Sequence, residues 1–110
     1  MNLFYLLVGL FLIISEPAPG QIKYCSLRGS VYIAEERGQA DYLAYLEDSE
    51  AFADFLVFEE ENRLYATEEG VWFFVDNRGI ADFSIYLVKS KGEADFVFAF
   101  TDSPTFAGCD

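Results

Sequence analysis

Histidine is absent from the chain, and basic residues and cysteines are scarce: seven Lys or Arg stand against 19 Asp or Glu, with two Cys. The lack of histidine excludes the Ser-His and Cys-His pairs that activate many nucleophiles, and it excludes zinc sites that use imidazole. The shortage of basic residues leaves a formal net charge of −12. Nucleic acids and anionic lipids are bound by clustered Lys and Arg, so we predict that the chain binds neither.

Sequence motifs for catalysis are also missing, since no Gly-x-Ser-x-Gly or Ser-x-x-Lys arrangement occurs. Ser90 and Lys91, with Lys89 before them, lie in an expected turn, where an ordinary solvated loop explains them. Adjacent carboxylates occur at Glu59-Glu60-Glu61 and Glu68-Glu69, and glycosidases use two such groups. A chain with this many acids always offers some pair, so a small hydrolase is only the third hypothesis. We expect no catalytic residue and no cofactor.

A long apolar run occurs only near the N-terminus, where it extends from Leu3 to Ile14 and is followed by two prolines. This layout is typical of a secretory signal peptide, and small residues, Ala18 and Gly20, stand where a signal peptidase reads the chain. A membrane-spanning helix needs about 20 apolar residues, which is more than this run offers. We therefore predict that residues 1–20 are a cleaved signal peptide. Residues 21–110 would form one secreted or periplasmic domain that does not span a membrane.

The two cysteines, Cys25 and Cys109, lie near the two ends of the predicted mature chain. An even number of cysteines in a short exported protein indicates a disulfide, and neither residue belongs to a Cys-x-x-Cys pair. Closing a loop of this length would stabilise the fold by about 4 to 5 kcal/mol through the entropy of the unfolded chain. We predict a disulfide between Cys25 and Cys109.

An internal repeat organises the rest of the chain. Ala-Asp followed by an aromatic residue occurs at Asp41, Asp54, Asp82 and Asp95, and the interval from Asp41 to Asp54 equals that from Asp82 to Asp95. We call this spacing the short interval. When residues 29–59 are aligned without gaps on residues 70–100, 11 of 31 positions are identical. Chance gives only a few matches, so the pattern indicates a duplication with a period of 41 residues.

Each half of the repeat reads as three strands rich in Val, Ile, Tyr, Phe and Trp and bounded by turn residues. No window shows sustained helical spacing, so the chain is predicted to be all-β. Both faces of the strands carry apolar residues, which is typical of a sandwich, a small closed barrel or a subunit interface. We expect two tandem three-stranded repeats that form a small sandwich or barrel-like sheet assembly with mostly antiparallel strands. The predicted strands are Val31 to Glu35, Asp41 to Glu47, Asp54 to Glu60, Val71 to Asp76, Asp82 to Lys89 and Asp95 to Thr101, with two further short ones at Ile22 to Leu27 and near Leu64 to Ala66.

The four repeated aspartates, Asp41, Asp54, Asp82 and Asp95, allow two interpretations. The first is that each side chain caps a turn by accepting hydrogen bonds from nearby backbone N–H groups where a strand starts. The second is that the four carboxylates line up across neighbouring strands and bind calcium, as in weak extracellular sites. No calcium-binding loop motif occurs, so capping is the preferred interpretation and calcium the alternative.

The acidic surface is explained by solubility, because a chain with 18% aromatic residues needs like charge to stay dispersed. Exposed aromatic residues could form a platform for a peptide or a sugar, but most are expected in the core, with Trp72 as a core plug. The partner is therefore left open as an unknown protein or carbohydrate, and self-association is plausible because segments such as FVFAF would be hazardous at an exposed sheet edge. The aromatic candidates are Tyr32, Tyr42, Tyr45, Tyr65, Trp72 and Tyr86.

The repeated Ala-Asp-aromatic-x-aliphatic-Tyr units, the segment GVWFFVDNRGIADFSIYLV and the closing FAGC resemble a family of small, mostly bacterial proteins catalogued as a domain of unknown function. The resemblance covers Tyr24 to Cys109. It implies an all-β repeat domain and brings no catalytic residues. We therefore expect a secreted or periplasmic, non-catalytic binding or structural module. The alternative is a calcium-dependent adhesion or matrix protein.

Overall fold

The computed structural model describes residues 24–109, which contain six short strands separated by single 3₁₀ turns. The six strands predicted from the sequence are present, with ends that differ by at most two residues. They are β1 (Gly29–Ile33), β2 (Tyr42–Leu46), β3 (Phe55–Glu59), β4 (Val71–Val75), β5 (Phe83–Leu87) and β6 (Phe96–Phe100). The 3₁₀ turns are Arg37–Gln39, Glu50–Phe52, Arg63–Tyr65, Arg78–Ile80, Lys91–Glu93 and Pro104–Phe106.

The two additional strands are wrong. The segment Leu64 to Ala66 falls in and just after the 3₁₀ turn Arg63–Tyr65, where Asn62 caps the turn by accepting a hydrogen bond from the Leu64 N–H. In the described part of the segment Ile22 to Leu27, Tyr24 and Cys25 are helical. The predicted signal peptide, residues 1–20, lies outside the described residues.

The strands form one closed barrel in the order β1-β4-β3-β6-β2-β5, and every strand pair is parallel. The all-β class is confirmed, and of the two expected architectures the structure has the barrel. The mostly antiparallel arrangement is wrong. The arrangement as two tandem three-stranded sheets is also wrong, because every strand of one half is hydrogen-bonded only to strands of the other half.

Short connections join these parallel strands because the strands are strongly staggered around the barrel. Parallel neighbours normally need a long crossover, yet the connection from β1 to β2 spans only residues 34–41. Ile33, the last residue of β1, and Tyr42, the first residue of β2, both lie opposite Ile85 of β5. β2 therefore begins at the level where β1 ends, and β5 is the single strand that lies between them. The chain coils around the barrel instead of returning along it.

This coiling makes each half of the chain cross over the other half. The 3₁₀ turn Arg37–Gln39, in the first half, packs on β5, whereas the turn Arg78–Ile80, in the second half, packs on β1. The interior of the barrel is filled by side chains, so these connections pass outside the strands that they cross. Each half thus lies beneath a connection of the other, and the chain is entangled with itself.

The barrel interior consists of layers to which each strand contributes one residue. Positions in a layer recur at the short interval within a half and are offset by 41 residues between halves, so the repeat in the sequence places equivalent residues in the same layer of the core. Every residue of the middle layer has an exposed fraction of 0% or 1%. This layer consists of Val31, Ala44, Val57, Trp72, Ile85 and Phe98. Trp72 is a core residue, as predicted.

The outer face of the barrel is covered by the connections, which explains the apolar residues on both faces of the strands. Arg37, in the connection over β5, stacks above the ring of Tyr86 at 5.5 Å from its centre. Lys91, in the connection between β5 and β6, lies 5.8 Å from the ring centre of Tyr45 on β2. Because the barrel is closed, the FVFAF strand, β6, is paired on both sides and presents no free edge.

The N-terminal end of the barrel is closed by the segment that precedes β1. The ring of Tyr24 lies 5.5 Å from Tyr42 and 5.1 Å from Phe96, centre to centre, and the Leu27 carbonyl accepts a hydrogen bond from Trp72 Nε1 at 3.1 Å. Cys25 of this segment is bonded to Cys109, at a sequence separation of 84. The predicted disulfide is confirmed. The disulfide ties this closing segment, which we call the Tyr24 plug, to the C-terminal end of the chain.

Candidate functional site

The four repeated aspartates stand immediately before four strands, and each carboxylate accepts a hydrogen bond from the backbone of a neighbouring strand. Asp41 Oδ2 accepts from the Ser84 N–H at 2.9 Å, and Asp54 Oδ2 accepts from the Val97 N–H at 2.8 Å. In the same way, Asp82 Oδ2 accepts from the Ser30 N–H at 2.7 Å, and Asp95 Oδ2 accepts from the Leu43 N–H at 2.8 Å.

Each aspartate forms two hydrogen bonds with its partner residue, one through its backbone N–H and one through its carboxylate. The backbone N–H of Asp82 donates to the Ser30 carbonyl at 2.8 Å, while the Asp82 carboxylate accepts from the N–H of the same serine. Asp95 and Leu43 form the same bracket, with a backbone bond of 2.6 Å. We call this arrangement the aspartate bracket. It joins the N-terminal end of one strand to the adjacent strand and so fixes the register between the two halves of the chain.

The bracket differs from the predicted turn cap in its partner. A cap accepts from an N–H a few residues away in the sequence, whereas these carboxylates accept from residues 43 or 52 positions away. Four of the six turns have other side-chain caps, each of which accepts from the N–H two residues ahead. These caps are Ser49, Asn62, Asn77 and Ser103. The carboxylates do accept backbone hydrogen bonds where a strand starts, but the donors belong to neighbouring strands and not to the local turn.

The calcium interpretation requires several carboxylates to converge on one ion. The four brackets lie on four different strands, and each engages a different backbone N–H. Across residues 24–109 the structure brings no group of three or more His, Cys, Asp or Glu side chains into a position to hold a metal ion. The weak calcium candidates Asp41, Asp54, Asp82 and Asp95 therefore do not meet at one place in this fold, and calcium binding stays the alternative interpretation, to be tested by titration.

The other polar candidates are distributed over the surface. Lys91 forms an ion pair with Glu47 at 3.3 Å, and a carboxylate oxygen of Glu60 accepts hydrogen bonds from the N–H groups of Glu61 and Asn62. Glu68 and Glu69 line a shallow surface cavity of about 630 Å³. Its remaining lining residues are Arg28, Thr67, Pro104, Thr105 and Ala107.

The predicted aromatic candidates do not form one platform. Trp72 lies in the core, and Tyr42 packs inside the barrel against Phe83 at 6.1 Å between ring centres. Tyr45 and Tyr86 lie on the outer face beneath basic side chains, and Tyr32 is half-buried on the outer face of β1. Tyr65 projects from a turn and is 65% exposed.

The sequence reasoning missed the C-terminal end of the barrel, which we call the open mouth. Because all six strands are parallel, their C-terminal ends meet at this one end. No described segment plugs it, in contrast to the Tyr24 plug at the opposite end. The inward-facing layer here is half-buried or exposed, with Ile33 exposed by 42%, Leu46 by 37% and Phe100 by 40%. The six residues of the open mouth are Ile33, Leu46, Glu59, Phe74, Leu87 and Phe100.

An acidic rim surrounds this layer, which is apolar except for the exposed Glu59. On every strand except β5, an acidic residue follows the last strand residue within one to three positions. The rim residues are Glu35, Glu36, Glu47, Asp48, Glu60, Glu61, Asp76 and Asp102. After β5 the corresponding residue is Lys89. The sequence does contain a signal for this layer, because the short interval also separates Ile33 from Leu46 and Leu46 from Glu59. The signal identifies an end of the barrel only when the strands are known to be parallel.

In the described part of the chain, no helix is both long and apolar enough to cross a membrane. Comparison with curated proteins and with solved structures finds no significant match. Residues 24–110 match a family model described as the 7(1) septoil knot domain. The chain therefore belongs to the septoil knot domain family.

Proposed function

We propose that this protein is an exported, non-catalytic module that acts as a binding or structural scaffold in the periplasm or outside the cell. The observation that carries the proposal is the disulfide between Cys25 and Cys109, which ties the plug of the barrel to the far end of the chain. Disulfides persist in oxidising compartments, where small domains use them to supplement a limited core. The apolar N-terminal run supplies a route of export.

The repeated polar groups support a scaffold role, because they are already used to build the barrel. Four aspartates hold strand registers, and the Ser84 hydroxyl donates to the Gln39 carbonyl at 3.1 Å while it also accepts from the Asp41 N–H. These groups would be the natural acids and nucleophiles of a catalyst. A side chain that fixes the register of two strands is poorly suited to change its protonation or partner during a reaction.

Mass spectrometry of the exported protein tests the proposal. The full chain from Met1 is expressed in a cell with an intact export pathway, and the culture medium, periplasm and cytoplasm are separated. We expect the protein in an exported fraction, starting at Gln21 and without free thiols. A cytoplasmic protein that keeps residues 1–20 and reacts with a thiol-alkylating reagent would contradict the proposal.

A substrate screen tests the non-catalytic part separately. The oxidised mature protein is incubated with chromogenic glycosides and esters, beside Glu60→Gln and Glu69→Gln variants. We expect no turnover above that of the variants. Hydrolysis by the parent protein that either substitution abolishes would establish the hydrolase instead, because glycosidases depend on such carboxylates.

A further inference from the structure

The open mouth differs from the rest of the surface in combining exposed apolar side chains with a ring of like charge. At the plugged end, Phe55 and Phe96 are each 2% exposed and Phe83 is 7% exposed. At the open mouth, Phe100, at the other end of β6 from Phe96, is 40% exposed, and Ile33 in the same layer is 42% exposed. Contiguous apolar groups rimmed by polar residues mark interaction sites on soluble proteins.

We propose that the open mouth binds a basic, amphipathic segment of another protein, which places apolar side chains on the mouth and Lys or Arg residues on the acidic rim. The proposal deepens the scaffold function above by naming the surface and its partner, and it rests on that function being one of binding. The apolar contact is made by Ile33, Leu46 and Phe100. The rim supplies the charge complementarity.

Charge decides between the occupants that this surface could take. A second copy of the chain would bring an acidic rim against an acidic rim, which opposes association. An anionic membrane surface is repelled for the same reason. A basic segment is attracted to the rim from a distance, and its apolar side chains are then held by the mouth. Within three positions after a strand, residues 24–109 contain two basic residues, Arg78 and Lys89, and Lys91 pairs with Glu47 of the rim. The eight acidic residues of the rim still outnumber these three basic residues, so the rim attracts a basic segment.

The side chains of the mouth are held in place for such contact. The ring of Phe100 lies 5.6 Å from Phe98 in the middle layer and 6.1 Å from Phe74, centre to centre. Phe74 in turn lies 6.1 Å from Trp72. A preorganised apolar surface loses little side-chain entropy on binding. The patch is small compared with a stable interface, so we expect a dissociation constant on the order of 10 µM.

Fluorescence anisotropy with designed peptides tests the proposal. The probe is a labelled amphipathic helix of about 15 residues made of Lys and Leu. It is titrated with the oxidised chain from Gln21. Two matched peptides replace every Lys by Glu or every Leu by Ser. We expect binding of the Lys-Leu peptide alone, weakened at least tenfold between about 20 mM and about 200 mM salt because exposed charges are screened.

Paired substitutions locate the binding. Leu46→Ser and Phe100→Ser remove apolar groups from the mouth, and we expect each to weaken the Lys-Leu peptide about tenfold, the effect typical of losing one good apolar contact. Phe52→Ser and Leu64→Ser remove apolar groups that are 68% and 78% exposed but belong to the 3₁₀ turns and not to the inward-facing layer of the barrel. These two variants should bind as the parent does. Thermal melts of all four variants verify that the barrel is folded.

Four results would overturn the proposal. Equal binding of the Lys-Ser peptide would mean that charge alone attracts the probe. Loss of binding in Phe52→Ser or Leu64→Ser with none in the mouth variants would place the contact on the turns. Sedimentation that shows a dimer disrupted by Phe100→Ser would make a second copy the occupant. Binding by the chain from Gln21 but not by the chain from Met1 would make residues 1–20 the occupant. Export and disulfide formation are measured independently, so a failure here leaves the scaffold function standing.

Discussion

Replacing Asp82 by alanine removes one arm of an aspartate bracket and leaves a buried backbone donor without its partner. The Ser30 N–H donates to the Asp82 carboxylate at 2.7 Å, and Ser30 is 2% exposed, so water cannot easily take the place of the carboxylate. An unsatisfied buried donor costs about 1 to 3 kcal/mol. We expect Asp82→Ala to lower the free energy of unfolding by about 2 kcal/mol, or the melting temperature by about 8 to 16 °C for a domain of this size.

The four brackets form a graded series that tests this reasoning internally. Asp41 resembles Asp82, because its partner, Ser84, is 1% exposed. The partners of Asp54 and Asp95 are half-buried, so water replaces part of the lost bond. We expect Asp54→Ala and Asp95→Ala to cost only about 0.5 to 1 kcal/mol each. The corresponding Asn variants should lose less than the Ala variants, because the amide oxygen still accepts a hydrogen bond.

Equilibrium unfolding in urea, followed by tryptophan fluorescence with the disulfide intact, measures these differences. Asp48→Ala is the matched control, since Asp48 is an exposed acid just after β2 and surface substitutions usually change stability by less than about 0.5 kcal/mol. The reasoning is refuted if Asp82→Ala costs no more than Asp48→Ala. A larger loss for Asp54→Ala than for Asp82→Ala would equally refute it, because burial of the donor would then not set the cost.

Three further predictions concern the glycine at the start of β1, the disulfide and calcium. Gly29→Ala should destabilise the fold by about 1 to 3 kcal/mol, because φ is +100° at this residue and a Cβ atom would collide with the Asp82 carboxylate; Gly38→Ala, with nothing within 4 Å of the added methyl group, should stay within about 0.5 kcal/mol of the parent, and equal urea midpoints for the two variants would contradict this. Cys25→Ser should lower the free energy of unfolding by about 4 to 5 kcal/mol through the entropy of the freed chain, and an unchanged urea midpoint would argue against it. Calorimetric titration of the mature protein with calcium should give no binding heat and no change in melting temperature, whereas a saturable heat that is lost in Asp82→Asn would restore the calcium interpretation.

Local patterns in the sequence located the elements of this fold. Short runs of β-branched and aromatic residues between Gly, Ser, Asn and Asp predicted all six strands, because these preferences depend mainly on neighbouring residues. The disulfide between Cys25 and Cys109 followed from the number of cysteines and the context of export. The core position of Trp72 followed from its place in an apolar strand.

Strand direction could not be found in the same way. The apolar residues on both faces of the strands were a signal for a parallel sheet, since parallel strands are normally covered on both sides. The short connections pointed the other way, because parallel neighbours normally need a longer crossover. The structure resolves this conflict by the stagger that sets Ile33 and Tyr42 opposite the same residue, Ile85. Only the pairing of distant strands reveals such a stagger.

The candidate functional residues were likewise only partly predictable from the sequence. The sequence predicted that the four repeated aspartates accept hydrogen bonds from nearby backbone, but their partners lie 43 or 52 residues away and belong to strands whose adjacency the sequence does not show. The open mouth was invisible for a related reason. Ile33, Leu46 and Phe100 look like ordinary core positions of their strands, and they are exposed only because six parallel strands end together.

The sequence by itself determined that this chain is all-β, internally duplicated, acidic and closed by one disulfide, because composition, spacing and strand preference are local properties. The tertiary structure alone decided that the two halves interleave in a parallel barrel, that the aspartates bracket neighbouring strands, and that one end is plugged while the other is open. These features depend on which distant residues meet. Residues separated by the short interval fall in the same layer of the barrel. Which distant residues complete that layer is decided only when the barrel closes.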